Sequence, residues 1–328
     1  MTLQKRSSFW MTWRTAVSSR AAWLLRSEPS ERQCDKNRPQ TRLIDTVLHI
    51  EPFTVRLRSP FASVGLHLDR FYRGYQPCEP GTFVDFDIQV LPARGVRRWW
   101  HPQARFLIDG AEPFFPLPAA QAGPLFEWGL NWCVAQRPLG YLVMHAAVVA
   151  RGDDALMMPG FPGAGKSTLC ASLVLLEKWR LLSDELAVLD PATGSMQAHP
   201  RPISLKNASI DIVGGFPGCQ LGTVYRDTRK GDITHAACPP DSIAAAGATA
   251  RVRWVIFPRF EAGAAPVCEE LSRAEAFALI SEQSFNNERM GEAGFGALCD
   301  LLTAARCFEL VYGSTDDGLA LVRQACTA

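Results

Sequence analysis

The sequence predicts an α/β protein, and three observations carry that reading. Short β-like runs broken by Pro and Gly fill the first part of the chain, a glycine-rich turn joins an apolar run to a helix at 160–168, and strands alternate with helices afterwards. From about Leu43, the runs Phe53–Arg58, Phe83–Val90 and Arg105–Ile108 read as strands, punctuated by Pro60, Pro80–Gly81 and Pro92. Ala119–Gln136 reads as a helix, with Leu125, Phe126, Leu130, Cys133 and Val134 near helical spacing. Trp128 and Trp132 lie four apart beside that stripe, which suits a helix packed between two lobes.

The apolar runs Leu142–Ala150 and Ala155–Met158 flank Arg151-Gly-Asp-Asp154 and predict a hairpin. A helix over Lys166–Lys178 follows, then a strand Leu181–Leu189, a turn at Pro191–Gly194, and a strand Val252–Phe257 stopped by Pro258. Helices are expected over Arg273–Ser284, Glu292–Ala305 and Thr315–Ala325 around a last strand, Cys307–Tyr312, with Ser314 and Asp317 as a helix cap. The organisation is thus a leader over 1–40, a β-rich N-terminal lobe over 41–140 ending in the packing helix, and a second domain over 141–328.

At 328 residues, with 47% hydrophobic and 20% charged residues, the chain has ample material for a core. A net charge of +1 argues against nucleic acid as a partner. The charge is uneven, because nine Lys and Arg residues against three acids crowd 1–42. That leader mixes Arg, Ser and Trp without periodicity and reads as disordered or loosely helical. No run approaches the roughly 18 to 20 apolar residues of a membrane helix, and Arg14, Arg20 and Arg26 interrupt any signal-peptide core. Ten cysteines without a CxxC pair or zinc spacing read as reduced, buried hydrophobes. The expected compartment is the cytoplasm.

Gly160-Phe-Pro-Gly163-Ala164-Gly165-Lys166-Ser167-Thr168 fits G-x-x-x-x-G-K-[ST] without a mismatch. The glycines let the backbone form a nest of N–H groups around a phosphate. The helix starting near Lys166 adds its positive end. Lys166 is expected on the β- and γ-phosphates and Ser167 on Mg²⁺, which makes ATP with Mg²⁺ the expected ligand.

Asp184 and Glu185 then sit inside the apolar run Leu181–Val188. Carboxylates there are costly unless a cation offsets them, as Mg²⁺ and Lys166 would. Adjacent strand residues point to opposite faces, so both acids serve one site only if the strand breaks.

This order of His-bearing strand, hairpin, P-loop, helix and paired acids resembles the HPr kinase/phosphorylase superfamily. Finer features resemble its HprK-related kinase A family: Phe126-Glu-Trp-Gly-Leu-Asn-Trp132, Trp179–Glu185, Arg201–Asn207, Lys230-Gly231 and Phe285-Asn286. The resemblance spans roughly 45 to 312. It implies a PEP-carboxykinase-like mixed sheet and a γ-phosphoryl transfer to a hydroxyl, expected on Ser or Thr of a protein or peptide. It also implies His145 in the site, Asp184 as base, Glu185 on the metal, and PqqD-like peptide-binding proteins as neighbours. No counterpart of the Glu-Val-Arg-Gly signature of true HPr kinases follows the acids, so phosphorylation without phosphorolysis is expected. Lys206 and Asn207, and Arg229, Lys230 and His235, are further candidates for phosphate or substrate contacts. A small-molecule kinase and a non-catalytic ATP sensor are the rival readings. A homo-oligomer is left open.

Overall fold

Alternating burial along the first strands decides how the N-terminal lobe folds. β1 (Ile44–Ile50) and β2 (Phe53–Ser59) pair antiparallel, and α1 (Ala62–Phe71) carries the chain across to β3 (Phe86–Pro92), parallel to β2. β4 (Gln103–Ile108) and β5 (Leu117–Pro118) complete a five-stranded sheet in chain order. Val55, Leu57, Phe86, Ile88 and Phe106 are buried, at the period of two that turns one sheet face inward. α2 (Ala122–Gln136) lies on that face and is buried nearly all round. Gly129 lets it approach, since a Cβ there would fall 1.9 Å from the Phe106 ring. The described residues of this computed structural model are 43–327, apart from Pro77, Pro80 and Pro162. The leader expected over 1–40 lies outside them.

The rest of the chain runs β6 (Leu142–Met144), β7 (Ala146–Arg151), β8 (Asp154–Pro159), α3 (Lys166–Leu175), β9 (Arg180–Ser183), β10 (Ala187–Asp190), β11 (Ser195–Gln197) and β12 (Ile203–Lys206). It continues through α4 (Ala208–Gly214), β13 (Tyr225–Thr228), β14 (Gly231–Ala236), α5 (Pro240–Ala244), β15 (Arg251–Phe260) and β16 (Val267–Glu270). α6 (Arg273–Ser281), α7 (Asn287–Met290), α8 (Glu292–Ala304), β17 (Arg306–Tyr312) and α9 (Thr315–Thr327) end it. Six strands form a mixed sheet in the order β16-β17-β15-β8-β7-β9. One core cluster unites sheet residues with Leu169, Leu173 and Val322 of α3 and α9, and another unites them with Ile280, Leu298 and Leu302 of α6 and α8. Helices therefore cover this sheet, as an α/β architecture requires. Smaller sheets β11-β10-β6 and β12-β14-β13 complete the fold. Val143, Leu186 and Val188 share one core with Phe126 and Leu130, so the two lobes are packed together.

Four expectations need correction. The run Leu142–Ala150 divides at His145 and the run Leu181–Leu189 divides at Asp184–Leu186, because each half pairs in a different sheet. α3 stops at Leu175, and Lys178 turns back at φ 60° with its Nζ on the Leu175 carbonyl. Pro258 does not stop β15: pairing to β8 has already ended at Val255, so its missing N–H leaves no gap on that side. The stretch 214–240 contains the hairpin of β13 and β14. The predicted cap of α9 is present, with Asp317 N donating to Ser314 Oγ at 3.1 Å. Among the described residues no helix is long and apolar enough to cross a membrane.

Candidate functional site

The loop between β8 and α3 shows why glycine recurs in it. Gly163 and Gly165 take φ of 89° and 91°, a left-handed conformation that L side chains resist. Gly165 is the residue that caps α3, so the helix begins with its first N–H groups facing the open cleft. Lys166 is buried behind the loop, with Nζ 2.6 Å from the Gly160 carbonyl and 3.1 Å from His145 Nε2. Burial pulls its pKa down to about 8, against the pull of Asp184 and Glu185.

The two strand breaks bring the remaining groups together. At His145 the chain passes from the β11-β10-β6 sheet into the six-stranded sheet, and at Asp184–Leu186 it passes back. Both passages open beside Lys166. His145 Nδ1 lies 3.1 Å from the Glu185 carbonyl, an acceptor, so Nδ1 carries the proton and Nε2 receives the bond from Lys166. Burial, then the Lys166 charge, lowers the His145 pKa to about 3, which keeps the ring neutral.

The two acids have different surroundings. Asp184 Oδ2 accepts from Ser167 Oγ at 3.2 Å and from Ser204 N at 3.0 Å. Its Oδ1 is buried with no hydrogen-bond partner among the described residues. Burial, then Glu185, raises the Asp184 pKa to about 6. Glu185 accepts from Asn131 Nδ2 and faces Lys206 Nζ at 3.9 Å. Burial alone would raise its pKa, but Lys206 and Lys230 bring it down to about 2. The sequence reading paired Ser167 with Glu185 for the metal, whereas the distances pair Ser167 with Asp184.

A cleft of about 1210 Å³ joins these residues, from Phe161, Gly163, Gly165 and Ser167 to Trp128, Asn131, Trp132, Lys206 and Lys230. Lys230 sits over the Trp128 ring at 5.0 Å, so that tryptophan lines the cleft as well as packing α2. His235, a candidate from sequence, instead packs in the core against His67 and Phe71. Asn207 is structural too: at φ 50° it accepts from Asp232 N at 3.1 Å.

Sequence reasoning assigned no role to Asn131 and Arg201, although both fall in runs it had singled out. Arg201 binds Asn131 Oδ1 and the Glu127 carboxylate, and that carboxylate also receives Tyr72 Oη at 2.9 Å and faces His67 Nε2 at 2.7 Å. Arg201 and Glu127 are buried, so this network ties α1 and α2 to the strand break that carries Glu185. A polar Asn, Glu and Arg in otherwise apolar surroundings was the available signal.

This network sets a stability prediction. Burial opposes ionisation of Glu127, but Arg201 and then His67 hold its pKa far below the usual carboxylate range. Glu127→Gln leaves Arg201 buried without a counter-charge and is expected to cost about 3–5 kcal/mol at neutral pH. A depressed folded pKa gives stability that is complete above the ordinary carboxylate value and lost as pH falls below it. The gap between parent and variant should therefore shrink as pH falls below the parent's unfolded carboxylate pKa, as urea melts across acid pH would show.

A metal fits one part of the cleft. Among the described residues no group of three or more His, Cys, Asp and Glu is arranged to hold a metal ion. Mg²⁺ characteristically uses one or two protein oxygens plus substrate phosphates, and Asp184 Oδ1 with Ser167 Oγ supplies that number beside the phosphate loop. No protein-family model matches the chain and no curated protein matches it, so the geometry of these residues carries the functional reading by itself.

Proposed function

We propose that this protein is an ATP-dependent kinase of the HPr kinase-like type that transfers the γ-phosphoryl group to a hydroxyl, on Ser or Thr of a protein or peptide. One observation carries the proposal: a phosphate loop with two left-handed glycines converges with Lys166, Asp184 and Glu185 through two simultaneous strand breaks. A mixed six-stranded sheet with the loop at its centre supports a PEP-carboxykinase-like arrangement.

Lys166 leaves the Gly160 carbonyl for the β- and γ-phosphate oxygens, and neutral His145 keeps its ammonium aimed into the cleft. Loop N–H groups and the α3 terminus hold the remaining phosphate charge. Mg²⁺, held by Ser167 and Asp184, would neutralise charge on the phosphates. Asp184 is 5% exposed and its carboxylate is engaged by Ser167 Oγ and Ser204 N, whereas the Glu185 side chain keeps 22% of its surface exposed in the same cleft. Glu185 therefore orients the acceptor hydroxyl and receives its proton as the new O–P bond forms and the bond to the β-phosphate oxygen breaks. A loose transition state asks more for orientation than for basicity, which suits a carboxylate held by Asn131.

The test is labelling with [γ-³²P]ATP in the presence of candidate acceptor proteins and peptides. Transfer to one of them by the parent, and none by Lys166→Ala, is the expected result. ATP binding without transfer to any acceptor class, small molecules included, would leave the sensor reading in its place.

A further inference from the structure

We propose that the nucleoside of the bound nucleotide lies over Phe260 and Tyr312, where its base stacks on the Phe260 ring and its sugar or base hydrogen-bonds Tyr312 Oη. The inference rests on the nucleotide-binding reading above and extends it by a site for the base.

Strand order places this pair. β15 and β17, which end at Phe260 and Tyr312, lie on one side of β8 and its phosphate loop, and β9, which leads into Asp184, lies on the other. The phosphates thus sit between a metal and acceptor side and an aromatic side. Phe260 is tethered to the loop by its own N–H, which donates to the Ala164 carbonyl at 3.2 Å. Tyr312 reaches the loop through its hydroxyl: a Cβ on Gly165 would lie 2.8 Å from Tyr312 Oη. Gly165 is therefore required by its neighbour as well as by its φ.

Two features are left unsatisfied by contacts among the described residues. Tyr312 is 4% exposed, yet its Oη has no hydrogen-bond partner among the described residues. A buried hydroxyl in that state is costly unless a ligand satisfies it. Phe260, a large apolar ring, is 43% exposed at the rim of the same cleft. The two rings meet at 5.9 Å and 65°, edge towards face, so Tyr312 fixes Phe260 without covering its outer surface. Thr315, the first residue of α9, lines the same edge with another hydroxyl. An unpartnered hydroxyl and an open aromatic ring, both against an anion-binding helix terminus, match the polar sugar and flat base that adjoin a triphosphate. The cleft, about 1210 Å³, has room for a nucleoside beside an acceptor.

The experiment compares ATP with inorganic tripolyphosphate, both with Mg²⁺, by calorimetry on the full chain. The parent should bind both and prefer ATP. Phe260→Ala should lose about tenfold in ATP affinity, the scale of one base–aromatic stack, and nothing in tripolyphosphate affinity. Phe260→Trp should restore ATP binding, and Tyr312→Phe should weaken ATP alone. Unchanged ATP affinity in Phe260→Ala would overturn the base site while leaving the phosphate site standing. Equal losses for both ligands would assign Phe260 to holding the loop and overturn it as well. A parent that binds neither ligand would remove the nucleotide reading and this one with it.

Discussion

Glu185→Gln is expected to bind ATP with Mg²⁺ as tightly as the parent and to transfer phosphate roughly 10² to 10⁴ times more slowly, the span of a missing general base. The substitution is nearly isosteric, and a glutamine oxygen can still accept from Asn131 Nδ2, so geometry is kept while the charge and the proton acceptor are removed. Asp184→Asn should fail differently. It removes the charge beside Ser167 and so raises the Mg²⁺ concentration needed for half-maximal turnover. Rates measured across Mg²⁺ concentrations for both variants separate the two roles. Full rescue of Glu185→Gln by excess Mg²⁺, with Asp184→Asn left inactive, would restore the assignment expected from sequence.

The sequence carried the phosphate loop well because its constraints are local. Left-handed glycines, a following helix and an apolar preceding strand all act within a few residues of one another, and each leaves a residue type behind. Asp184 and Glu185 were visible for a similar reason, as two charges in an apolar run. Their division of labour was not visible, since it depends on which oxygen meets Ser167 and which meets Asn131, partners 17 and 54 residues away in the chain. The same limit hid the split strands. Leu142–Ala150 is apolar on both sides of His145, and only its pairing partners reveal that two sheets share it. Buried pairing outside the P-loop, such as Glu127 with Arg201, looks in sequence like any polar residue in a helix or loop. His235 misled for the complementary reason: a basic neighbourhood in sequence became a core position once β14 paired with β12.

Lys166→Ala is expected to weaken ATP binding by about 10²-fold or more, because the ammonium's bonds to phosphate oxygens are charge-assisted and each contributes about 1.5–3 kcal/mol. The fold should survive. Lys166 is 7% exposed, and burial brings its pKa to about 8, so the charged form is a cost to the fold at neutral pH. A folded pKa below the unfolded value means that the unfolded chain binds more protons between the two, and the parent's stability should rise with pH across that interval. The variant should lack this rise. Its losses are the donor to the Gly160 carbonyl and to His145 Nε2, which water entering the shortened site can replace. Melting temperature near neutral pH should therefore change little while ATP affinity collapses. That combination separates a ligand-binding lysine from a structural one, which would lower both together. Equal ATP affinity in Lys166→Ala and the parent, measured by calorimetry, would remove the phosphate loop from the function and with it the kinase reading.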